Sequence, residues 1–253
     1  MNFRLLLLVW LWPLFAGAQV TVSPTLSRPM LQTTNPVYLA SYARGQPGEG
    51  IYIDYSLDGV HFQNILASDA AVLNDPEYVP DEVGVWTSSL TWYAGYFWLA
   101  WELPSVENTK FTLYKSADLL TWTGAFTNLF DTDTYGALYA PEWTVGITPP
   151  SLICALGTNG AAPNTAGRVY EMHPLNADMN SWSAPVLIYG PAANAHADAM
   201  VALVGSTYHL LARRHTNGGV IDTIIHGTAS SLTGTYTIDG VADWAGWGTN
   251  SLE

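Results

Sequence analysis

Short apolar and aromatic runs recur along the chain, separated by polar, Gly- and Pro-containing stretches. Pro36-Val-Tyr-Leu-Ala-Ser-Tyr42, Ile51-Tyr-Ile-Asp-Tyr55, Tyr96-Phe-Trp-Leu-Ala-Trp101, Phe111-Thr-Leu-Tyr-Lys115 and Thr207-Tyr-His-Leu-Leu-Ala212 are typical. They are rich in aromatic and β-branched residues, and no window sustains the 3.6-residue period of an amphipathic helix. The pattern predicts an all-β chain of short strands.

A turn motif punctuates the runs at a fixed interval. Ser116-Ala-Asp118-Leu-Leu-Thr-Trp122 is echoed upstream by Ser56-Leu-Asp58-Gly59-Val-His-Phe62 and downstream by Asp178-Met-Asn-Ser-Trp182. In each an Asp precedes an aromatic by four residues, and Asp58, Asp118 and Asp178 lie sixty residues apart. A looser copy is Ser230-Ser-Leu-Thr-Gly-Thr-Tyr236, and each copy follows a strand-like run. A strand, a tight polar turn and an aromatic anchor repeated at constant spacing describe an array of blades. The units begin near 34, 85, 139 and 195, so about four blades of a β-propeller are represented. The stretch Asp243-Trp244-Ala-Gly-Trp247 through Ser251-Leu252-Glu253 reads as the opening of a further unit, and a C-terminally truncated propeller is expected.

The N-terminus stands outside this pattern. Arg4, the apolar run Leu5–Phe15 and the small residues Ala16-Gly17-Ala18 form a secretory signal peptide over 1–18, too short to span a bilayer. The chain is therefore expected to be secreted, with one propeller domain over 19–253. The net charge of −13 argues against nucleic acid, anionic membranes and polyanionic sugars as partners. Cys154 is the sole cysteine, so no internal disulfide can form and stability must come from packing.

Candidate chemistry rests on carboxylates. The six His are scattered one per element without a metal-binding spacing, Gly-x-Ser-x-Gly is absent, and neither metal nor cofactor is expected. Asp198 interrupts the apolar start of a strand, as does Glu142 in Ala-Pro-Glu-Trp. The first strand of each blade lines the channel, so both point toward a common axis. There, mutual repulsion raises the pKa of at least one. Paired carboxyl groups facing one bond are what glycosidic cleavage requires. Trp86, Trp143 and Trp247 offer flat faces for sugar rings, although most of the eleven Trp must be packing residues. Trp92, Trp101 and Trp244 share such positions near strand starts or the final loop, and His196 is a rim histidine beside Asp198.

Four features together resemble the five-bladed β-propeller glycosidases related to glycoside hydrolase family 43, the arabinanases, β-xylosidases and α-arabinofuranosidases. These are Ser56-x-Asp58-Gly-x-His-Phe62, Ser116-x-Asp118-Leu-x-x-Trp122, Tyr139-Ala-Pro-Glu142, and Ala197-Asp198-Ala199 followed by Val-x-x-x-Gly-x-x-Tyr-x-Leu. The similarity covers about 34–253. It implies an inverting hydrolase of pentose-containing polysaccharide (arabinan, xylan or arabinoxylan). Asp198 would tune the pKa of the acid, and Glu253 would be that general acid. It also places Thr87 of Gly84-Val-Trp-Thr87 where these enzymes carry an Asp base. A hydroxyl near its ordinary pKa cannot replace a carboxylate in that task. Either Asp81 or Glu82 supplies the base, or the mechanism differs, or the chain is a catalytically inactive carbohydrate-binding propeller. Glu142, His196, Trp86, Trp143 and Trp247 are expected to contact the sugar. The expected partner is an oligo- or polysaccharide bound by a monomer; a propeller without a sugar site is the third reading.

Overall fold

The computed structural model describes residues 37–43, 50–66, 68–73, 87–102, 110–129, 135–158, 167–191, 194–216 and 221–241. All the regular structure among them is β, in four antiparallel sheets. The first blade contains β1 (Tyr38–Ala43), β2 (Ile51–Ser56) and β3 (Gln63–Asn64). The second holds β4 (Ser88–Tyr93), β5 (Tyr96–Glu102), β6 (Lys110–Ser116) and β7 (Thr123–Leu129). The third holds β8 (Tyr135–Trp143), β9 (Leu152–Thr158), β10 (Arg168–Met172) and β11 (Val186–Tyr189). The fourth holds β12 (Ala195–Val204), β13 (Thr207–Thr216), β14 (Ile221–Ala229) and β15 (Thr237–Val241). Each sheet is a meander in chain order, and the four form the blades of a β-propeller. The signal sequence, Asp81, Glu82, Trp86, Trp244, Trp247 and Glu253 lie outside the described residues.

The core consists of three slabs between blades. Alternation along each central strand sends successive side chains to opposite neighbours. On β5, Leu99 and Trp101 pack toward the first blade with Ile51 and Ile53. Trp98 and Ala100 pack toward the third with Leu152, Cys154 and Leu156. On β9, Ile153 turns the other way and meets Val201, Leu210 and Ala212 of the fourth blade. This explains the unbroken apolar run Leu152-Ile-Cys-Ala-Leu156: both faces of the strand are covered, and Cys154 is a buried packing residue.

The repeated turn joins the last two described strands of its blade. In the second blade Ser116 Oγ donates to Asp118 Oδ1 (3.0 Å) and accepts from Leu119 N (2.8 Å). Asp118 Oδ1 in turn accepts from Leu120 N (2.9 Å) and Thr121 N (2.8 Å). The first blade repeats the arrangement, with Ser56 Oγ donating to Asp58 Oδ1 (2.9 Å) and Asp58 Oδ1 accepting from Val60 N and His61 N (both 2.8 Å). The residue after the Asp has a positive φ: Gly59 (76°), Leu119 (66°) and Met179 (50°). Leu119 and Met179 bear this strain while almost fully buried, at 1% and 0% exposure. The aromatic closes the turn, since Trp122 Nε1 donates to Leu119 O (3.0 Å) and Trp182 Nε1 to Met179 O (2.8 Å). Tyr236 OH donates to Leu232 O (3.0 Å) in the fourth blade. In the third copy, Asn176 replaces the Ser and bonds Asn180 through both side-chain ends, so exposed Asp178 is not the cap that its sequence position suggests.

Hydrogen bonds stitch the inner strand regions of neighbouring blades together. Ser41 Oγ donates to Ser88 O (3.2 Å), and Trp143 N donates to Ser89 Oγ (3.0 Å). Val145 N donates to Val201 O (3.0 Å), and Leu203 N donates to Val145 O (2.8 Å). The following Gly146 has φ 76°, and a Cβ there would lie 2.8 Å from Leu203 O. Leu203 is tied through its N–H to Val145 O at this blade junction, so its backbone has little room to retreat. Gly146→Ala should therefore destabilise the fold by about 1–3 kcal/mol, combining backbone strain with a steric clash. Urea denaturation checks this; an unchanged midpoint would show that the junction can yield.

Candidate functional site

The inner strands of the third and fourth blades carry the same distortion. Tyr139 pairs with Ala155 and Glu142 with Ile153, leaving a bulge between them. Ala197 pairs with Arg213 and Met200 with Leu211, leaving a second bulge. Ala140 (φ 47°) and Asp198 (φ 44°) occupy corresponding places in the two bulges, in a left-handed conformation uncommon for side chains other than Gly or Asn. Bulges re-aim side chains, and strained backbone of this kind concentrates at functional positions. The apolar alternation around Asp198 therefore breaks in both sequence and backbone.

Asp198 meets Arg213 from the adjacent strand. Arg213 Nε lies 2.8 Å from Asp198 Oδ2, close enough for an ion pair but out of line for a linear hydrogen bond. The side chains are 15% and 11% exposed, so the pair is largely shielded from bulk water. A guanidinium at this distance favours the ionised carboxylate and fixes its position. No motif or apolar-pattern break marks Arg213 as a site residue. The available signal was the Arg213-Arg214 dipeptide in a chain with only eight Lys and Arg.

Glu142 lies between the second and fourth blades' inner strands. Its Oε2 is buried with no hydrogen-bond partner, while Ser89 of β4 bonds the carboxyl group. Ser89 Oγ also accepts from Trp143 N, so this one hydroxyl ties the bulged segment to the neighbouring blade. Burial pushes the Glu142 carboxyl up to about 8; the Ser89 hydrogen bond works against the shift, and the Asp198 charge adds to it. Glu142 is thus a neutral acid at pH 7 beside an ionised Asp198, an unlike pair made by environment.

His196 is fully buried, not a rim side chain. Its backbone N donates to Gly167 O (2.9 Å), its ring meets Tyr189 edge-on at 4.9 Å, and neither ring nitrogen has a hydrogen-bond partner. Burial pushes the imidazole down to about 4, with Arg214 and His215 contributing in the same direction. It is neutral at physiological pH and supports the β12 start from behind. Direct contact with a sugar is incompatible with this burial.

Trp143 also departs from expectation. It is 2% exposed and packs against Trp182 at 6.0 Å, so its face belongs to the slab between the second and third blades. Trp101 is fully buried, and Trp92 packs edge-on to Phe97 at 4.5 Å. Thr87 falls among the described residues just before β4, with Oγ1 buried and unpartnered. The structure therefore brings Ser89, Glu142, Asp198 and Arg213 together. The acid and base candidates Glu253, Asp81 and Glu82, and the aromatics Trp86 and Trp247, lie outside the described residues. Among those described, no group of three or more His, Cys, Asp or Glu is placed to hold a metal ion.

No family model matches the chain, and no curated protein matches it in sequence. Solved structures do. Native Bacillus subtilis arabinanase superposes with a TM-score of 0.60 at 16% identity, covering 87% of this chain and 75% of that one. Penicillium chrysogenum α-L-arabinanase complexed with arabinobiose gives 0.57 at 11% identity, covering 87% and 67%. The endo-arabinase of Bacteroides thetaiotaomicron gives 0.60 at 12% identity, covering 80% and 75%. At such identities the likeness is one of architecture: the strained bulges of Ala140 and Asp198 sit in a chain that has the β-propeller fold of the glycoside hydrolase family 43 enzymes.

Proposed function

We propose that the chain is a secreted, monomeric glycoside hydrolase acting on O-glycosidic bonds of pentose-containing polysaccharide. The observation that carries this reading is Asp198, held on a strained bulge, ion-paired to Arg213 and electrostatically coupled to neutral Glu142. The fold adds support, since related folds include arabinanases complexed with arabinobiose and arabinohexaose. In an inverting reaction an acid protonates the leaving oxygen while water attacks the opposite side of the sugar. The two carboxyl groups responsible stand about 6.5–9.5 Å apart. Asp198 is not that acid in this reading. Its fixed negative charge keeps a nearby acid protonated, raising that acid's pKa toward the working pH. Glu253 is the acid, and Asp81 or Glu82 activates the water. Glu142 and Ser89 form the rigid wall that keeps Asp198 in place.

A specific observation favours the second reading. The residue at the expected base position, Thr87, presents a buried hydroxyl with no partner to draw its proton. Without a carboxylate there, the propeller binds glycan and does not cleave it.

The readings separate in one comparison. The wild-type chain should release sugar from arabinan or aryl pentosides, and Asp198→Asn should lower kcat by about 10²–10⁴. If neither protein hydrolyses any pentoside but both are retarded in arabinoxylan gels, the binding propeller stands; absence of hydrolysis and retardation leaves a propeller without a sugar site.

Stability should report the neutral state of Glu142 independently of activity. Its folded pKa of about 8 exceeds the ordinary value of 4.5, so the folded chain retains a proton that the unfolded chain releases. Its stabilising contribution is complete below pH 4.5 and is lost as pH rises through 8. Glu142→Gln should therefore gain stability over the wild type between those limits. Equal urea midpoints for the two proteins at pH 5 and pH 9 would refute a buried neutral acid.

A further inference from the structure

We propose that His209 and His226, on the fourth blade away from Asp198, form a binding site for a late first-row divalent metal ion such as Zn²⁺ or Cu²⁺. The face they occupy follows from the strand pattern. Leu210, Ala212 and Ile225 pack toward the third blade, so alternation puts His209 and His226 on the opposite face of the sheet. His209 is registered with Thr228, and Leu211 with His226, making the two His diagonal neighbours on adjacent strands. Their rings are 5.3 Å apart and 27° from parallel, with His209 Nδ1 3.0 Å from His226 Nε2.

A carboxylate orients one of these rings. Asp239 Oδ1, on β15, is 2.5 Å from His226 Nδ1. An acceptor there keeps the proton on Nδ1 and directs the Nε2 lone pair at His209. Metal-bound imidazoles commonly have this outer-shell carboxylate, which fixes the tautomer and raises ligand basicity. Without metal, His209 donates its Nδ1 proton to His226. Moving that proton to Nε2 of His209 exposes a second lone pair, so two neutral ligands face one another with no net ionisation. Bonds of about 2.0–2.1 Å at a tetrahedral angle set the nitrogens roughly 3.3–3.4 Å apart. The pair needs to open by only a few tenths of an ångström.

Among the described residues Asp239 is 48% exposed and His209 partly exposed, whereas the His226 side chain is 9% exposed. Three adjacent strands fix the donors. With no third side-chain donor in place among the described residues, water completes the coordination. Imidazole ligands select zinc and copper over calcium and magnesium, which prefer oxygen. The charge of −13 attracts cations in general, so location and ligand identity must decide the test.

Untagged full-length chain titrated with Cu²⁺ or Zn²⁺ should bind one equivalent saturably. Cu²⁺ electron paramagnetic resonance should show two imidazole nitrogens. His209→Gln or His226→Gln should weaken binding by at least about tenfold and remove one nitrogen; Asp239→Asn should weaken it by about 10–100-fold and leave both. The proposal is overturned if wild type shows no saturable site, if its bound copper has fewer than two nitrogen ligands, or if binding is undiminished in both His variants. The resonance measurement on wild type decides the matter even where a buried His226 variant fails to fold.

Discussion

Each central blade is a sheet with two apolar faces, and neither can be left in water. Ile153 and Cys154 are neighbours on β9, yet they belong to different slabs: one packs toward the fourth blade, the other toward the second. This double coverage is the constraint on which the architecture depends. It makes Trp98 and Trp101 fully buried packing residues on opposite faces of one strand. It also leaves the inner strand ends as the place where polar groups can converge without emptying a slab.

The bulges reconcile packing with chemistry at those ends. A regular strand would send alternate residues into the slabs, where a carboxylate would be costly. Inserting one residue at Ala140 and another at Asp198 breaks that rule locally, at the expense of two positive φ angles. The resulting carboxyls meet different environments. Asp198 has Arg213 at 2.8 Å and remains a charge, whereas Glu142 has one hydroxyl from Ser89 and is driven neutral by burial. The same chemical group thus takes two states a short distance apart in the fold.

The outer turns solve a separate problem with local means. Ser56/Asp58 and Ser116/Asp118 satisfy successive backbone N–H groups, so the turn leaves few donors to water. Burial pushes the Asp118 carboxyl up, but its hydrogen bonds from Thr121, Leu120 and Ser116 outweigh this and hold it below the usual carboxylate range. At the fourth blade's outer strands a different polar chain, Asp239–His226–His209, is assembled from three strands and has no counterpart in a local motif.

The sequence by itself determined what is local or periodic. Strand runs, the sixty-residue turn repeat and the interruption of apolar strands by Asp198 and Glu142 are properties of consecutive residues; they specify an all-β propeller and mark the two carboxylates that the fold brings together. The echo at Asp178 marks a turn closed by Trp182 as in the other copies, but which side chain caps it, Asn176 and not Asp178, is decided only by the folded geometry. Tertiary structure alone decided the rest. Trp143 and His196 have suitable chemistry for a sugar, but the neighbouring blade removes both from solvent. Arg213 reaches Asp198, Ser89 reaches Glu142, and His209 reaches His226 through cross-strand register and blade packing, which sequence distance does not encode. Charge states follow the same division: composition counts the carboxylates, but only burial and partners decide which of them keeps a proton.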